Sequence, residues 1–262
     1  MVGLWSHLEG ESAAGVTGPW DLSPPEGLRP QPRYADVTLI PIEVRAILPP
    51  DAARTWEAIV PLRPKPAYLV DGTAVAVHIR HRESRDLDFY LSSPVDLTDL
   101  NDRLSSSDRW LASTFTESTL NGVFSATKLQ FLLADTETNV EPLTMVGGIP
   151  VASLPDLFAM KLGVITRRGA LRDYYDLMEM EKRTGLTAEE GLSLFVRRYR
   201  PTGVDAALAG VIFALGPAAI ADAASDPSGV PKSAVKELER YWARRQIEVT
   251  AHLDRYGTPS SR

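Results

Sequence analysis

The sequence predicts an α+β fold, in which a mixed sheet over residues 36–150 precedes a helical domain over residues 151–262. Short apolar runs alternate with helical patterns before residue 150, whereas the apolar spacing is helical from Leu154 onward. Hydrophobic residues make up 44% of the chain and charged residues 24%, which is typical of a globular protein. Residues 1–35 are rich in Gly, Pro and Ser and lack periodicity, which predicts an extended or poorly ordered arm.

Composition excludes several classes of site. The chain has no cysteine, so disulfides, thiolate zinc sites and cysteine nucleophiles are ruled out. The net charge of -6 argues against a protein that coats nucleic acid by bulk attraction, although a local basic groove stays possible. The first 18 residues lack the apolar run of a secretory signal, and Gly216-Pro217 interrupts the longest apolar stretch, Ala206–Ala221. We therefore expect a cytoplasmic protein without a membrane span, in which that stretch is buried helical core.

The first half predicts alternating strands and helices. Val37–Ile47 is rich in Val, Ile and Leu and predicts a strand that Pro41 confines to an edge. Asp51 predicts the N-cap of a helix that runs to Val60. The remaining predicted elements are strands at Tyr68–Val70, Ser84–Leu91, Val123–Leu133 and Met145–Val151, and helices from Gly72 to about His81 and over Leu97–Leu104.

The second half predicts helices. Pro155 near the first turn begins one, and Gly185 ends the next. Thr187-Ala188-Glu189-Glu190 forms a capping box for a third helix. A long helix is predicted from Ser233 to about Tyr256.

Two acidic residues in Ser84-Arg-Asp-Leu-Asp-Phe are the candidate catalytic centre. In a strand, Asp86 and Asp88 point to one face, while Leu87 and Phe89 point to the other. Two carboxylates so close together need a neutralising cation, and oxygen-only ligands favour Mg²⁺ or Mn²⁺. Upstream, Gly72 at a strand-to-helix turn offers backbone N–H groups to a phosphate. This arrangement suits phosphoryl transfer; the alternative is a solvated strand face.

A second polar cluster follows in the helical half. Lys161 lies within an apolar helical run, where a lysine either snorkels to solvent or reaches a site. Asp173 and Asp176 share a helix face, whereas Arg172 points elsewhere. The alternative is an ordinary surface helix with ion pairs.

These motifs resemble the AbiEii-type nucleotidyltransferase family, which includes MenT-like toxins of bacterial toxin–antitoxin systems. The resemblance covers about residues 65 to 180. Its motifs stand here as Asp71-Gly72-Thr73-Ala74, His81-Arg82, Ser84-Arg85-Asp86-Leu87-Asp88-Phe89, Met160-Lys161-Leu162 and Arg172-Asp173-Tyr174-Tyr175-Asp176-Leu177.

The resemblance implies a polymerase-beta-like core and a set of site residues. Metal ligands would be Asp86 and Asp88, and Asp176 would be a further catalytic carboxylate. Nucleotide would be bound by Gly72, Thr73, Arg82, Ser84 and Lys161, with less certain roles for Arg172 and Asp173. Two departures stand out, since Asp71 replaces the first glycine of the family motif and Gln130 replaces a strand acid of many related enzymes.

The resemblance also implies a reaction. An NTP would donate NMP to the 3′ acceptor end of tRNA with Mg²⁺ or Mn²⁺, and a cognate antitoxin would be a partner. Phosphorylation of Ser84 would silence the enzyme. Arginines of the helical half are candidate phosphate contacts: Arg197, Arg198, Arg200, Arg240, Arg244 and Arg245. The alternatives are a small-molecule nucleotidyltransferase of the aminoglycoside-modifying kind and a non-catalytic nucleotide-binding module.

Overall fold

A seven-stranded mixed sheet organises the first half of the protein. The computed structural model describes residues 40–134 and 138–257, so the predicted arm over residues 1–35 lies outside the described residues. The strands are β1 (Ala67–Val70), β2 (Leu87–Leu91), β3 (Trp110–Phe115), β4 (Thr119–Phe124), β5 (Thr127–Leu133), β6 (Thr144–Val146) and β7 (Ile149–Val151). Their order across the sheet is β3-β4-β5-β2-β1-β7-β6.

The helices flank this sheet and make up the second half of the described chain. They are α1 (Ile42–Arg45), α2 (Pro50–Ile59), α3 (Asp71–Ile79), α4 (Leu97–Ser105), α5 (Leu154–Arg168), α6 (Leu171–Thr184), α7 (Ala188–Tyr199), α8 (Val204–Ala214), α9 (Pro217–Ala223) and α10 (Val235–Tyr256). Together with the sheet they confirm the predicted α+β class.

Strand β2 lies at the centre of the sheet. It pairs antiparallel with β1 on one side and parallel with β5 on the other. Burial alternates along it, because Leu87, Phe89 and Leu91 enter the core while the residues between them face the other side. The Phe89 ring stacks on Phe131 of β5 with 5.0 Å between the ring centroids. This packing fixes the face on which the polar residues of β2 stand.

Helix α5 connects the sheet to the helical half, since it packs against α3, α6, α7 and α8. It begins at a side-chain cap in which Ser153 Oγ accepts the N–H of Asp156 at 3.1 Å. Asp156 is fully buried and pairs with the equally buried Arg198 of α7 at 2.6 Å. A buried ion pair of this kind is costly to break from one side, so it ties α7 firmly to α5.

Several predicted elements are wrong in kind or in limits. The predicted strand Val37–Ile47 is wrong within its described part, because α1 begins after Pro41 and runs over Ile42–Arg45. Asp51 is not the N-cap of α2, which begins at Pro50 after Pro49. Strand β3 was not predicted; its side chains are mostly exposed, so it lacks the buried alternating pattern that marks a strand.

Two segments that were each predicted as a single strand form two antiparallel strands joined by a turn. The segment Val123–Leu133 reverses at Ser125 and Ala126, whose φ values of 48° and 73° place both in the left-handed region. The segment Met145–Val151 reverses at Gly147-Gly148, which also have positive φ. In both cases a tight turn lies inside what looked like one continuous apolar run.

The apolar stretch Ala206–Ala221 forms α8 and α9 but is not wholly buried. Leu208 and Val211 enter the core, whereas Phe213 is 76% exposed. Among the described residues, no single helix is long and apolar enough to cross a membrane, although the bent pair of α8 and α9 passes that test by length and composition.

Candidate active site

An open cleft of about 1000 Å³ lies between the sheet and the helical half. Its floor carries polar side chains of β2, β4 and β5, and its wall includes Arg168 and Arg172 at the end of α5 and the start of α6. Its lining includes Gly72 and the polar or charged residues Asp71, His81, Arg82, Glu83, Ser84, Arg85, Asp86, Asp88, Asn121, Lys128, Gln130, Arg168 and Arg172.

The loop between α3 and β2 sets the position of Asp86. Strand β2 begins at Leu87, so Asp86 precedes the strand rather than standing within it as predicted. The buried Thr73 hydroxyl contacts the Ser84 hydroxyl at 2.7 Å and also binds the Asp86 carbonyl. The Ser84 N–H donates to the Ile47 carbonyl at 3.0 Å. These bonds hold the loop against α3 and against the segment between α1 and α2. Both Asp86 and Asp88 still line the cleft.

Asp88 is a carboxylate in an unfavourable environment. It stands opposite Val70 on β1 and opposite Gln130 on β5. Burial, followed by the negative charges of Asp71 and Asp86, raises the pKa of Asp88 to about 8. Within residues 40–134 and 138–257, neither Asp86 nor Asp88 forms a hydrogen bond or an ion pair through its carboxylate. A cation bound at this position would relieve the repulsion.

Amide side chains extend the row of oxygen atoms beside Asp88. Gln130 is the direct neighbour of Asp88, and Asn121 of β4 is the direct neighbour of Gln130. Asn121 Oδ1 is buried and has no hydrogen-bond partner among the described residues. Carboxylate and amide oxygens are the ligands that hard divalent cations prefer. The donor set around Asp86 and Asp88 therefore fits Mg²⁺ or Mn²⁺.

Lys161 occupies a separate, buried cluster. Lys161 is 1% exposed, and its ammonium group donates to Asp173 at 2.6 Å, lies 3.0 Å from Asp176 and binds Asp71. Burial alone would lower the pKa of Lys161, but the charges of Asp71, Asp176 and Asp173 outweigh it and raise the pKa above its usual range. Lys161 is thus permanently charged and fully paired.

Asp176 is the most heavily paired acid of this cluster. Arg82 donates two hydrogen bonds to the Asp176 carboxylate, from Nε at 2.7 Å and from Nη2 at 2.9 Å. His81 Nε2 donates a third at 2.6 Å. Burial would raise the pKa of Asp176, but Lys161 and Arg82 outweigh it and hold the pKa far below its usual range. Sequence reasoning gave His81 no role; its position beside Arg82 was the available signal.

The acids around Lys161 form a cation site that is already filled. Oxygen atoms of Asp71, Asp173 and Asp176 lie within 4.8 Å of one another, close enough to share a metal ion. The ammonium of Lys161 contacts all three, however, and supplies the positive charge that such a cluster requires. A divalent ion would have to displace it, so Asp86 and Asp88 remain the better candidate metal ligands.

The structure divides the predicted site residues into two layers. Gly72, Arg82, Ser84, Asp86, Asp88 and Arg172 line the cleft, whereas Thr73, Lys161, Asp173 and Asp176 lie behind that lining. Gly72 makes room for Arg82, because a Cβ at this position would lie 2.4 Å from Arg82 Nη2. The Asp173 carboxylate also accepts the Ala170 N–H at 3.0 Å and so caps the start of α6.

Two of the predicted phosphate-contacting arginines are structural instead. Arg198 is fully buried against Asp156. Arg245 binds Glu181, Glu189 and Glu248, which ties α10 to α6 and α7. Their guanidinium groups are therefore committed to the interior of the helical half, and the cations that face the cleft are other residues.

Comparison with known proteins matches the second half of the chain to one family. Residues 129–253 match the family model described as nucleotidyl transferase AbiEii toxin, type IV TA system. An uncharacterized protein of Aquifex aeolicus is 30% identical over 143 residues, which cover 51% of this chain. The match spans 66% of that relative, slightly under two thirds of its length.

A solved structure was also found. It is MenT4, a nucleotidyltransferase toxin from Mycobacterium tuberculosis, and it shares 16% identity with this chain. The alignment covers 79% of this chain and 88% of the toxin, with a TM-score of 0.48. A likeness at this level carries no functional conclusion.

Proposed function

We propose that the chain, whose residues 129–253 match the model of the AbiEii nucleotidyltransferase toxin family, transfers NMP from an NTP to the 3′ acceptor end of tRNA. The products are pyrophosphate and a tRNA that cannot be aminoacylated. The observation that supports this function is one cleft that holds Asp86 and Asp88, which are unpaired among the described residues, together with five cationic side chains. Carboxylates for a metal and cations for phosphates are the two parts that phosphoryl transfer needs.

Asp86 and Asp88 are the proposed ligands of Mg²⁺ or Mn²⁺, with Gln130 and Asn121 as neighbouring oxygen donors. The bound ion supplies neutralisation of the triphosphate and activation of the acceptor hydroxyl. Asp88 carries a raised pKa because of its burial and its acidic neighbours, so it gives up a proton when a cation binds. This coupling predicts that nucleotide and metal binding weaken as the pH falls below about 8.

Arg82 and Gly72 are the proposed triphosphate contacts at the start of α3. The helix begins at Asp71 after Val70, and it has no side-chain cap, so its first N–H groups are available to an anion. Arg82 reaches the same place and keeps its guanidinium oriented through Asp176. Asp176 and Asp173 thus act as positioning residues for Arg82 and Lys161. The helical region from residue 151 completes the proposed site with Arg172 in the cleft lining and Lys161 behind it.

The charge of the cleft favours a polyanionic acceptor over a cationic drug. Five cationic residues line it, against four acidic ones, although the whole chain carries a net charge of -6. The cations are Arg82, Arg85, Lys128, Arg168 and Arg172. Once a divalent ion neutralises Asp86 and Asp88, the cleft is distinctly positive, and a phosphate backbone is attracted to it.

Ser84 is the proposed site of silencing by phosphorylation. Its hydroxyl lies on the loop between α3 and β2, lines the cleft and contacts Thr73. A phosphate there would stand beside Asp86 and repel the incoming triphosphate. A cognate antitoxin is proposed from the match to that family alone.

The test is incubation of the protein with total tRNA, Mg²⁺ and each of four labelled NTPs in turn, beside an Asp86→Ala variant. Label that enters tRNA with the wild type and not with the variant supports the enzyme and its metal site, and it identifies the nucleotide. Asp99→Asn, an exposed change on α4, serves as the matched control and should keep full activity. Transfer to an aminoglycoside but not to tRNA would instead support a small-molecule acceptor.

A further inference from the structure

Asp71 stands between Lys161 and the cleft. The Asp71 side chain is 35% exposed and lines the cleft, whereas Lys161 does not reach the lining. The other two carboxylates on Lys161, Asp173 and Asp176, are 6% and 0% exposed and approach it from the interior. A ligand that enters from the cleft therefore meets Asp71 before it meets the ammonium group.

The backbone at Asp71 is held in an unusual conformation. Its φ of 58° lies in the left-handed region, which few residues other than glycine adopt, although Asp and Asn tolerate it better than most. The Asp71 side chain contacts Lys161. Burial alone would raise the pKa of Asp71, but the charge of Lys161 outweighs it and lowers the pKa, so Asp71 is an anion at neutral pH.

We propose that Asp71 competes with the nucleotide triphosphate for Lys161, so that binding exchanges one anionic partner of the ammonium for another. This inference rests on the proposed function, because it assumes that the cleft receives a triphosphate. Asp173 and Asp176 have further partners in Ala170, Arg82 and His81, so they stay in place during the exchange. Asp71 is the acid that is free to swing toward solvent. It therefore lowers the affinity of the site for nucleotide.

Calorimetric titration with Mg-ATP and with inorganic tripolyphosphate tests this exchange. Asp71→Asn keeps the shape and tolerates the left-handed backbone, and we expect it to bind both probes about tenfold tighter than the wild type. Glu83→Gln is the matched control, since it removes one acid from the same cleft and Glu83 pairs with Arg85 rather than with Lys161. The gain in affinity should be absent in Glu83→Gln. It should also be absent when Asp71→Asn is added to Lys161→Met and the double variant is compared with Lys161→Met alone.

The outcomes separate this inference from the proposed function. If the wild type binds the probes and Asp71→Asn binds them equally well, the proposed exchange at Lys161 is wrong while the proposed function stands. The same holds if Glu83→Gln gains as much affinity as Asp71→Asn. A gain that persists without Lys161 would overturn the exchange as well, since the effect would then be general repulsion. If neither the wild type nor any variant binds either probe, the proposed function fails together with the inference.

Discussion

The site contains two groups of aspartates, one around Lys161 and one at Asp86 and Asp88, and their electrostatic environments are opposite. Around Lys161, the carboxylates of Asp173 and Asp176 are buried and paired, and the pKa of Asp176 is held far down. In the neighbouring cleft, the Asp88 carboxyl group has no hydrogen-bond or ion-pair partner in the described part of the chain, and its pKa is raised to about 8. The first group stabilises the fold with an internal cation, whereas the second requires a cation from outside.

This difference separates stability from activity. A paired buried acid contributes to stability because its removal strands the opposite charge. An unpaired acid near other acids costs stability, and such a feature persists where function needs it. Asp176 and Asp88 should therefore respond in opposite ways to the same chemical change.

The largest expected effect is loss of activity in Asp88→Asn. We expect nucleotide transfer to fall by roughly a thousandfold, because a metal ligand and its charge are both lost. Labelled-NTP incorporation into tRNA measures it, with Asp99→Asn as the control. Full activity in Asp88→Asn would show that Asp88 is not a metal ligand, and it would contradict the difference proposed between the two groups of aspartates.

The next largest effect is loss of stability in Asp176→Asn. Lys161, Arg82 and His81 would each lose their shared partner inside the protein, which costs about 3–5 kcal/mol. Denaturant unfolding measures it, and Asp88→Asn under the same conditions should be as stable as the wild type or more so. Equal destabilisation of both variants would contradict the distinction drawn here.

A smaller effect is expected from Ser84→Asp. The new carboxylate would join Asp86 and Asp88 at the cleft, and we expect activity to fall by about tenfold through repulsion of the triphosphate. Ser84→Ala removes the hydroxyl without adding charge, so it should retain most of the activity. Steady-state incorporation assays compare the two variants, and undiminished activity of Ser84→Asp would argue against silencing by phosphorylation.

A last expected effect is the pH dependence of stability, which is spread over several pH units. A carboxyl group whose pKa is raised by folding holds its proton better in the folded state, so stability declines as the pH rises from about 4 toward 8. The lowered pKa of Asp176 acts in the opposite sense, and its contribution is lost below about pH 4. Unfolding titrations of the wild type between pH 5 and 8 should show the first slope, and Asp88→Asn should lack it. The same slope in both proteins would assign it to another group.

Much of the fold followed from local patterns. The capping box at Thr187 and the stop at Gly185 were confirmed, because such signals depend on neighbouring residues alone. Strand β3 and the turns within the paired strands escaped prediction. Strand β3 at the edge of the sheet is exposed along most of its length, and Ser125-Ala126 is not a typical turn sequence.

For the site, the sequence by itself determined which residues are candidates, and the tertiary structure decided their states. The spacing of Asp86 and Asp88 predicts a shared face, and the helical spacing of Asp173 and Asp176 predicts another. Only the packing of α3 against α5 and α6 brings Lys161, Asp71 and Asp176 together across some 90 residues of chain. Burial and the distance between charges set a pKa, and these depend on long-range contacts that no local pattern encodes.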